Sequence, residues 1–226
     1  MRGLLRTAWT IAAFDLSREL RRPVASSAVL LFGCCALVVL RLSLAGGGRP
    51  DDSVLAGALW VVLVFAALLG TSRAWATERE DGAYDALLAS PASRAAVQLG
   101  KVFGALVSTV VLDAVLVFLY LGMFGAPDGP AGLGQLLAAV LLAALGFAAV
   151  GVLVGALGLR ARGRDLLGPV IFLPLAIPLV IAAVTLSLVA YGSADASATQ
   201  LLLFIAAYDA TFLVAGLAAY PELAVD

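Results

Sequence analysis

Two carboxylates inside apolar runs are the residues of this chain whose placement most suggests chemistry. Asp113 and Asp209 each interrupt a long stretch of apolar residues. A charge at the centre of a bilayer costs ~2.5–3.5 kcal/mol on insertion scales, so such a side chain usually faces a helix bundle or a cavity. Each could serve a proton relay or contact a substrate, or be a protonated or hydrogen-bonded packing residue. Packing is favoured because no basic residue lies deep in another apolar run.

The usual components of an active site are missing from the sequence. The chain contains no histidine, which removes the commonest general base and the commonest metal and haem ligand. Cys34 and Cys35 are adjacent, so they are not spaced for a metal and cannot form an ordinary disulfide with each other. Lys101 lacks a P-loop context because residue 95 is Ala and residue 102 is Val. We therefore expect a non-catalytic chain without a bound metal or cofactor, and any ATP on a partner.

The composition predicts an all-α integral membrane protein with six transmembrane helices. The 226 residues are 63% hydrophobic and 13% charged, with a mean hydropathy of +1.07, whereas soluble domains are about 45–50% apolar and about 25% charged. Six apolar runs are close to the ~20 residues that a membrane helix needs. They cover residues 24–44, 54–72, 99–124, 133–159, 166–191 and 200–220. The net charge of −1 gives no indication of a nucleic-acid partner.

The basic residues predict the topology. Of the fourteen, only Arg41 and Arg49 fall in one set of alternate loops. The others precede the first run, lie between the second and third runs or at the start of the third (Lys101), or lie between the fourth and fifth. By the positive-inside rule the richer side is the cytoplasm, and both termini lie there. A cleaved signal peptide is the competing interpretation of the first run, but its basic region and its apolar stretch are both too long for one.

Residues 1–22 predict an amphipathic helix in the membrane interface. One helical face is apolar and contains Leu5, Ala8, Trp9, Ala12, Leu16 and Leu20. The opposite face carries Arg6, Thr10, Ser17 and Arg21, and Phe14 departs from the pattern. A helix with an aromatic residue on one face and arginines on the other suits the headgroup region. The alternative is a simple flanking anchor.

The loop at 75–91 is the strongest candidate for a partner-binding element. It contains a charged cluster that ends at Gly82 and is followed by a short predicted helix; the cluster consists of Glu78, Arg79, Glu80 and Asp81. On that helix Tyr84, Leu87 and Leu88 share one face. Ser90-Pro91 is typical of an N-cap and first turn, and predicts the start of the next helix. The segment could insert into a groove on a soluble partner, or it could be a solvated loop.

Two later spans contain residues that affect the shape and packing of a helix. The fifth contains Pro169, Pro174 and Pro178, each of which removes a backbone donor, so we expect a kinked or broken helix. Such a helix could line a pathway or act as a pivot. The fourth contains Gly151-x-x-x-Gly155, which permits close helix packing.

Three stretches taken together resemble one known family. The first is Glu-Arg-Glu-Asp-Gly at 78–82 with Asp85, Leu87-Leu88 and Ser90-Pro91. The second is 160–167, which contains Arg160, Arg162, Arg164 and Asp165 and runs into the three prolines. The third is Tyr-Asp-Ala-Thr-Phe at 208–212. This combination resembles the CcmB family, haem exporter protein B of cytochrome c maturation, over nearly the whole chain.

The resemblance implies the permease subunit of an ABC-type complex in the bacterial inner membrane, with ABC-2-like architecture. The implied partners are a CcmA-like ATPase that binds ATP, CcmC-like and CcmD-like membrane proteins and a CcmE-like haem chaperone, with a second copy of the chain as a further candidate. The segment 75–91 would dock on the ATPase, and the loop 160–165 would flank it. Haem would be bound by partner proteins.

Within such a complex, haem could cross this chain, or ATP hydrolysis could release haem-loaded chaperone. The absence of histidine, the scattered tryptophans at 9, 60 and 75 and the short periplasmic loops favour release. Two other functions stay open. One is a generic ABC-2-type exporter permease for a lipid or drug. The other is an ion-coupled secondary transporter that uses Asp113 and Asp209, although the sequence shows no inverted repeat to support it.

Overall fold

The chain is helical almost throughout the part that the structure describes. A computed structural model describes residues 2–21, 23–44, 50–71, 92–158 and 164–223. The helices in these ranges are α1 Arg2–Arg21, α2 Val24–Ser43, α3 Asp52–Thr71, α4 Arg94–Phe124, α5 Gly129–Gly158, α6 Arg164–Ala190 and α7 Ala198–Leu223.

Helices α2 to α7 are each long and apolar enough to cross a membrane. The predicted fold class, a helical membrane protein with six spans, is therefore confirmed. α4 has 31 residues and α5 has 30, so each is about 45 Å long at 1.5 Å per residue. Because the hydrocarbon layer is about 30 Å thick, both helices must tilt or extend beyond it.

α4 begins before the apolar run that was predicted as the third span. The helix begins at Arg94, and its N-cap is Ser93, whose side chain accepts a hydrogen bond from the backbone N–H of Ala96 at 3.3 Å. Ser90 and Pro91 lie outside the described residues. The predicted apolar run starts at 99, but the cap places the first turn of α4 one turn earlier, because a capped helix does not need apolar residues in its first turn.

α5 is the central helix of the bundle. It packs against α3, α4, α6 and α7, and small residues allow this close approach. A Cβ atom added at Gly132 would lie 2.5 Å from the carbonyl oxygen of Ala190 on α6. One added at Gly151 would overlap the side chain of Thr71 on α3. The close packing predicted for the Gly151 motif is thus made within the chain, between α5 and α3.

A polar pair lies inside the apolar core. The indole Nε1 of Trp60 on α3 donates a hydrogen bond to Ser187 Oγ on α6 at 2.8 Å. Ser187 in turn donates to the carbonyl of Ala183 one turn earlier at 2.9 Å. Both side chains are buried. Because the indole N–H has a partner, Trp60 can fill a large core volume without an unsatisfied donor.

α6 is continuous through Pro169, Pro174 and Pro178, so the structure shows a helix with internal prolines and not a broken one. The hydroxyl of Tyr208 on α7 donates to the carbonyl oxygen of Leu175 at 2.5 Å. Leu175 lies in the turn before Pro178, whose missing N–H weakens the ladder there. The carbonyl that Pro178 leaves without its usual helical donor is that of Pro174, next to Leu175, so Tyr208 adds a hydrogen bond beside this gap in the ladder.

Candidate functional site

The ends of several helices meet at one end of the bundle, which is the predicted cytoplasmic end. Thr71, at the end of α3, lies against Gly151 near the end of α5. Gln98, near the start of α4, lies against Gly216 near the end of α7. Gly100 on α4 contacts α1. The predicted loops 75–91 and 160–165 therefore leave the bundle at the same end.

The predicted docking residues themselves mostly fall outside the described part of the chain. These are Glu78, Arg79, Glu80, Asp81, Gly82, Tyr84, Asp85, Leu87, Leu88, Arg160 and Arg162. Arg164 and Asp165 form the first turn of α6. The structure describes the helices on either side of each loop. Helices α3 and α4 flank the segment 75–91, and α5 and α6 flank the loop 160–165.

At the opposite end of the bundle, two side chains donate hydrogen bonds to backbone carbonyls of other segments. Arg41 Nε on α2 donates to the carbonyl of Met123 in the last turn of α4 at 3.1 Å, and its guanidinium lies 6.0 Å from the Phe124 ring centroid. A cation suits the C-terminal end of a helix because the last carbonyls lack partners. The Tyr191 hydroxyl donates to the Gly125 carbonyl at 3.1 Å.

α1 packs closely along the first half of α4. Two glycines one turn apart, Gly100 and Gly104, face Ala8 and Ala12 of α1: a Cβ atom at Gly100 would lie 2.8 Å from the Ala8 carbonyl oxygen, and one at Gly104 would lie 3.7 Å from the Ala12 Cα. Pairs of small residues four apart on both helices are the pattern by which membrane helices approach closely. α1 is therefore a packed part of the bundle as well as a flanking helix.

A buried ion pair joins the two helices beside these glycines. Lys101 Nζ lies 2.9 Å from Asp15 Oδ2, and the Lys101 side chain is only 2% exposed. Lys101 is the single lysine of the chain. The sequence pattern placed it among the basic residues that mark the cytoplasmic side, but in the structure its charge is engaged by α1. A charge pair this buried fixes a register, since either partner alone would be a costly buried charge.

One turn further along α1, Glu19 connects three helices. Its Oε1 atom accepts a hydrogen bond from Ser26 on α2, and its Oε2 atom accepts one from Ser108 on α4. We name the group formed by Asp15, Glu19, Lys101, Ser26 and Ser108 the α1 clasp. Both acidic residues of α1 thus face the bundle.

The predicted apolar face of α1 is divided in the structure. Ala8 and Ala12 are buried against α4, whereas Leu5, Trp9 and Leu20, assigned to the same face, are largely exposed. Phe14, which departs from the predicted pattern, is also exposed. Periodicity alone could not separate the residues that pack on α4 from those that face outward. The outer set is apolar and aromatic, and the interfacial position of α1 stays a prediction.

Asp113 and Asp209 are both buried, each with about 2% exposure. Within the described residues, Asp113 Oδ1 and both carboxyl oxygens of Asp209 have no hydrogen-bond partner. The Oε1 atom of Gln98 is likewise buried without a partner there. The same part of the chain contains no group of three residues that could hold a metal ion.

Sequence reasoning missed the α1 clasp. It used Lys101 only as a mark of the cytoplasmic side and as a residue without a P-loop context, and it gave Asp15, Glu19 and Ser108 no role. Two signals were present: the acids lie four residues apart on an otherwise basic helix, and Gly100-x-x-x-Gly104 brackets the lysine. Neither signal indicates which residues contact each other, because the contacts join residues about 90 positions apart in the sequence, as Glu19 and Ser108 are.

The described helices define a multi-pass helical membrane protein in which α3 and α5 end on the same side of the bundle. A family model described as CcmB protein matches residues 6–225. The chain therefore belongs to the CcmB family, whose members are membrane permease subunits of ABC-type haem exporters and associate with other components of that system such as an ATPase. No curated protein sequence matches the chain.

Proposed function

We propose that this chain couples ATP hydrolysis by a partner ATPase to haem delivery in cytochrome c maturation, by driving release of a haem-loaded periplasmic chaperone. The observation that carries the proposal is the family match over residues 6–225. The proposed partners are a CcmA-like ATPase, CcmC-like and CcmD-like membrane proteins and a CcmE-like chaperone, with a second copy of the chain as a further candidate. The protein resides in the bacterial inner membrane with both termini in the cytoplasm.

The proposed docking element is the segment 75–91. Its charged cluster contacts the ATPase surface, and the face formed by Tyr84, Leu87 and Leu88 fills a groove there. This segment lies between α3 and α4 in the chain, so a movement of the ATPase would be applied to those two helices. The residues Arg160, Arg162, Arg164 and Asp165 flank the same surface between α5 and α6.

The contacts of the α1 clasp connect α4 to other helices, and this connection would pass the movement on. Asp15 and Glu19 bind α4 through Lys101 and Ser108, and Glu19 also binds α2 through Ser26. A shift of α4 would therefore carry α1 and the start of α2 with it. α6 would provide compliance, since its three prolines lower the number of backbone hydrogen bonds that resist bending.

Release of loaded chaperone is favoured over passage of haem because the chain has no histidine to serve as an axial ligand. In this mechanism haem is bound by the partner proteins. This chain transmits the conformational change across the membrane and supplies no haem ligand. The residues that matter are then the docking segment and the clasp, and not a lining of haem-binding side chains.

Co-purification of the tagged chain from native membranes in mild detergent, followed by mass spectrometry, tests the proposal. We expect an ATPase together with CcmC-like and CcmE-like proteins. Recovery of an ATPase without cytochrome c assembly proteins would instead support a generic exporter permease. Recovery of no ATPase would overturn the proposal and favour an ion-coupled transporter.

A further inference from the structure

Asp209 lies in a narrow space between three helices. It belongs to α7, and its carboxyl group occupies the volume that a side chain at position 146 of α5 would need. A Cβ atom at Gly146 would lie 2.5 Å from Asp209 Oδ1 and 2.6 Å from a methyl carbon of Leu179 on α6. The carboxyl group is therefore enclosed by α5 and α6 and is removed from water.

No counter-charge approaches this carboxyl from the helices packed against α7. α5 contains no charged residue, and α6 contains none after Asp165. The charged and titratable residues of α4 are Arg94, Lys101, Asp113 and Tyr120; of these, Lys101 is paired with Asp15. On α7, Tyr208 directs its hydroxyl to the Leu175 carbonyl, and Tyr220 and Glu222 lie at the far end of the helix.

An ionised carboxylate in such a place would lose its hydration without any compensating hydrogen bond or charge, which is strongly unfavourable. A neutral carboxylic acid avoids most of that cost and gains an O–H donor. We propose that Asp209 is an intramembrane proton-binding site, occupied by a proton whenever α5, α6 and α7 are packed as in this structure.

The surroundings of the site connect it to movement of α6. Tyr208 binds the carbonyl of Leu175 on α6, and the neighbouring Asp209 shares the space at Gly146 with Leu179 of α6. Leu175 and Leu179 lie on either side of Pro178. Bending at this proline would alter both contacts. Once water reaches the carboxyl group, the acid releases its proton, and closure of the helices requires the proton again. The opening and closing of this contact is therefore accompanied by exchange of one proton.

Infrared spectroscopy of the full-length chain in lipid bilayers, with aspartate carboxyl carbons labelled by ¹³C, tests the assignment. At neutral pH, where exposed aspartates are ionised, we expect a protonated-acid carbonyl band in the unsubstituted protein. Because Asp113 is also buried, the difference between variants carries the assignment: part of the band is lost in Asp209→Asn, and that part is retained in Asp113→Asn. Absence of any such band from the unsubstituted protein overturns the proposal, even if no variant can be purified.

A second pair of variants tests the geometry. Gly146→Ala places a methyl group against Asp209 Oδ1 and should shift the same band. Gly134→Ala, on the same helix where nothing lies within 4 Å of the added carbon, should leave it unchanged. Identical acid bands in the unsubstituted protein and Asp209→Asn would also contradict the assignment. Because these measurements use the chain alone, their outcome is independent of whether the ATPase coupling holds.

Discussion

Asp15 on the N-terminal helix and Lys101 on α4 form an ion pair of 2.9 Å in which the lysine is almost fully buried. The two residues come from segments that the sequence pattern treats separately, an amphipathic helix and the start of a membrane span. Their contact makes α1 a component of the bundle. It also means that a force applied to α4 through the docking segment reaches α1 directly.

Lys101→Met should destabilise the folded chain, because Asp15 then remains partly buried without its partner. Removing one member of a buried pair costs about 3–5 kcal/mol, and the lower end applies here since Asp15 is 22% exposed. Thermal unfolding in detergent measures the effect. Arg6→Met, at an exposed position of α1, is the control and should change stability by less than about 0.5 kcal/mol. Equal losses in both variants would show that the ion pair has no special role.

Gly100→Ala should displace α1 from α4. The added carbon would lie 2.8 Å from both the Ala8 carbonyl oxygen and the Ile11 Cβ, so backbone must move. Cysteines at Trp9 and Phe103, whose rings are 5.5 Å apart, report the displacement through the yield of a cross-link when Cys34 and Cys35 are replaced by serine. Gly122→Ala on the same helix meets nothing within 4 Å and should preserve the yield. An unchanged yield in Gly100→Ala would contradict the close crossing.

Replacement of Leu87 and Leu88 by aspartate should uncouple the partner ATPase while membrane insertion stays normal. The two charges cannot enter an apolar groove without a large desolvation cost. Mature cytochrome c output and ATPase co-purification should both fall, whereas isoleucine at the two positions should preserve most of each. Normal cytochrome c output from the aspartate variant would refute the docking role of this segment.

Tyr208→Phe should weaken the contact between α7 and α6. It removes the 2.5 Å hydrogen bond to the Leu175 carbonyl, and a lost intramolecular hydrogen bond costs about 1 kcal/mol of stability. The unfolding temperature measures this loss. Thr211→Val, on the same helix, removes an exposed hydroxyl that donates to the Ala207 carbonyl at 2.8 Å and should have the smaller effect. A larger effect at Thr211 would indicate that the proline-containing turn of α6 does not depend on Tyr208.

The sequence by itself determined the class of fold. Six apolar runs of membrane length and a one-sided distribution of arginines follow from the chemistry of the bilayer, which acts on each segment locally. The family resemblance could also be recognised in the sequence, because each of its motifs, at 78–91 and at 208–212, is a continuous stretch of the chain. Hydropathy marks the membrane run but not the first turn of the helix, since the cap at Ser93 precedes the apolar run in α4.

Only the tertiary structure decided which polar residues have partners. It paired Asp15 with Lys101 and Glu19 with Ser26 and Ser108, and it left Asp209 in the space provided by Gly146. These relationships depend on how helices distant in sequence cross. Hydropathy fixes which residues enter the membrane but not the rotation of one helix against another, because lipid and a neighbouring helix are almost equally apolar.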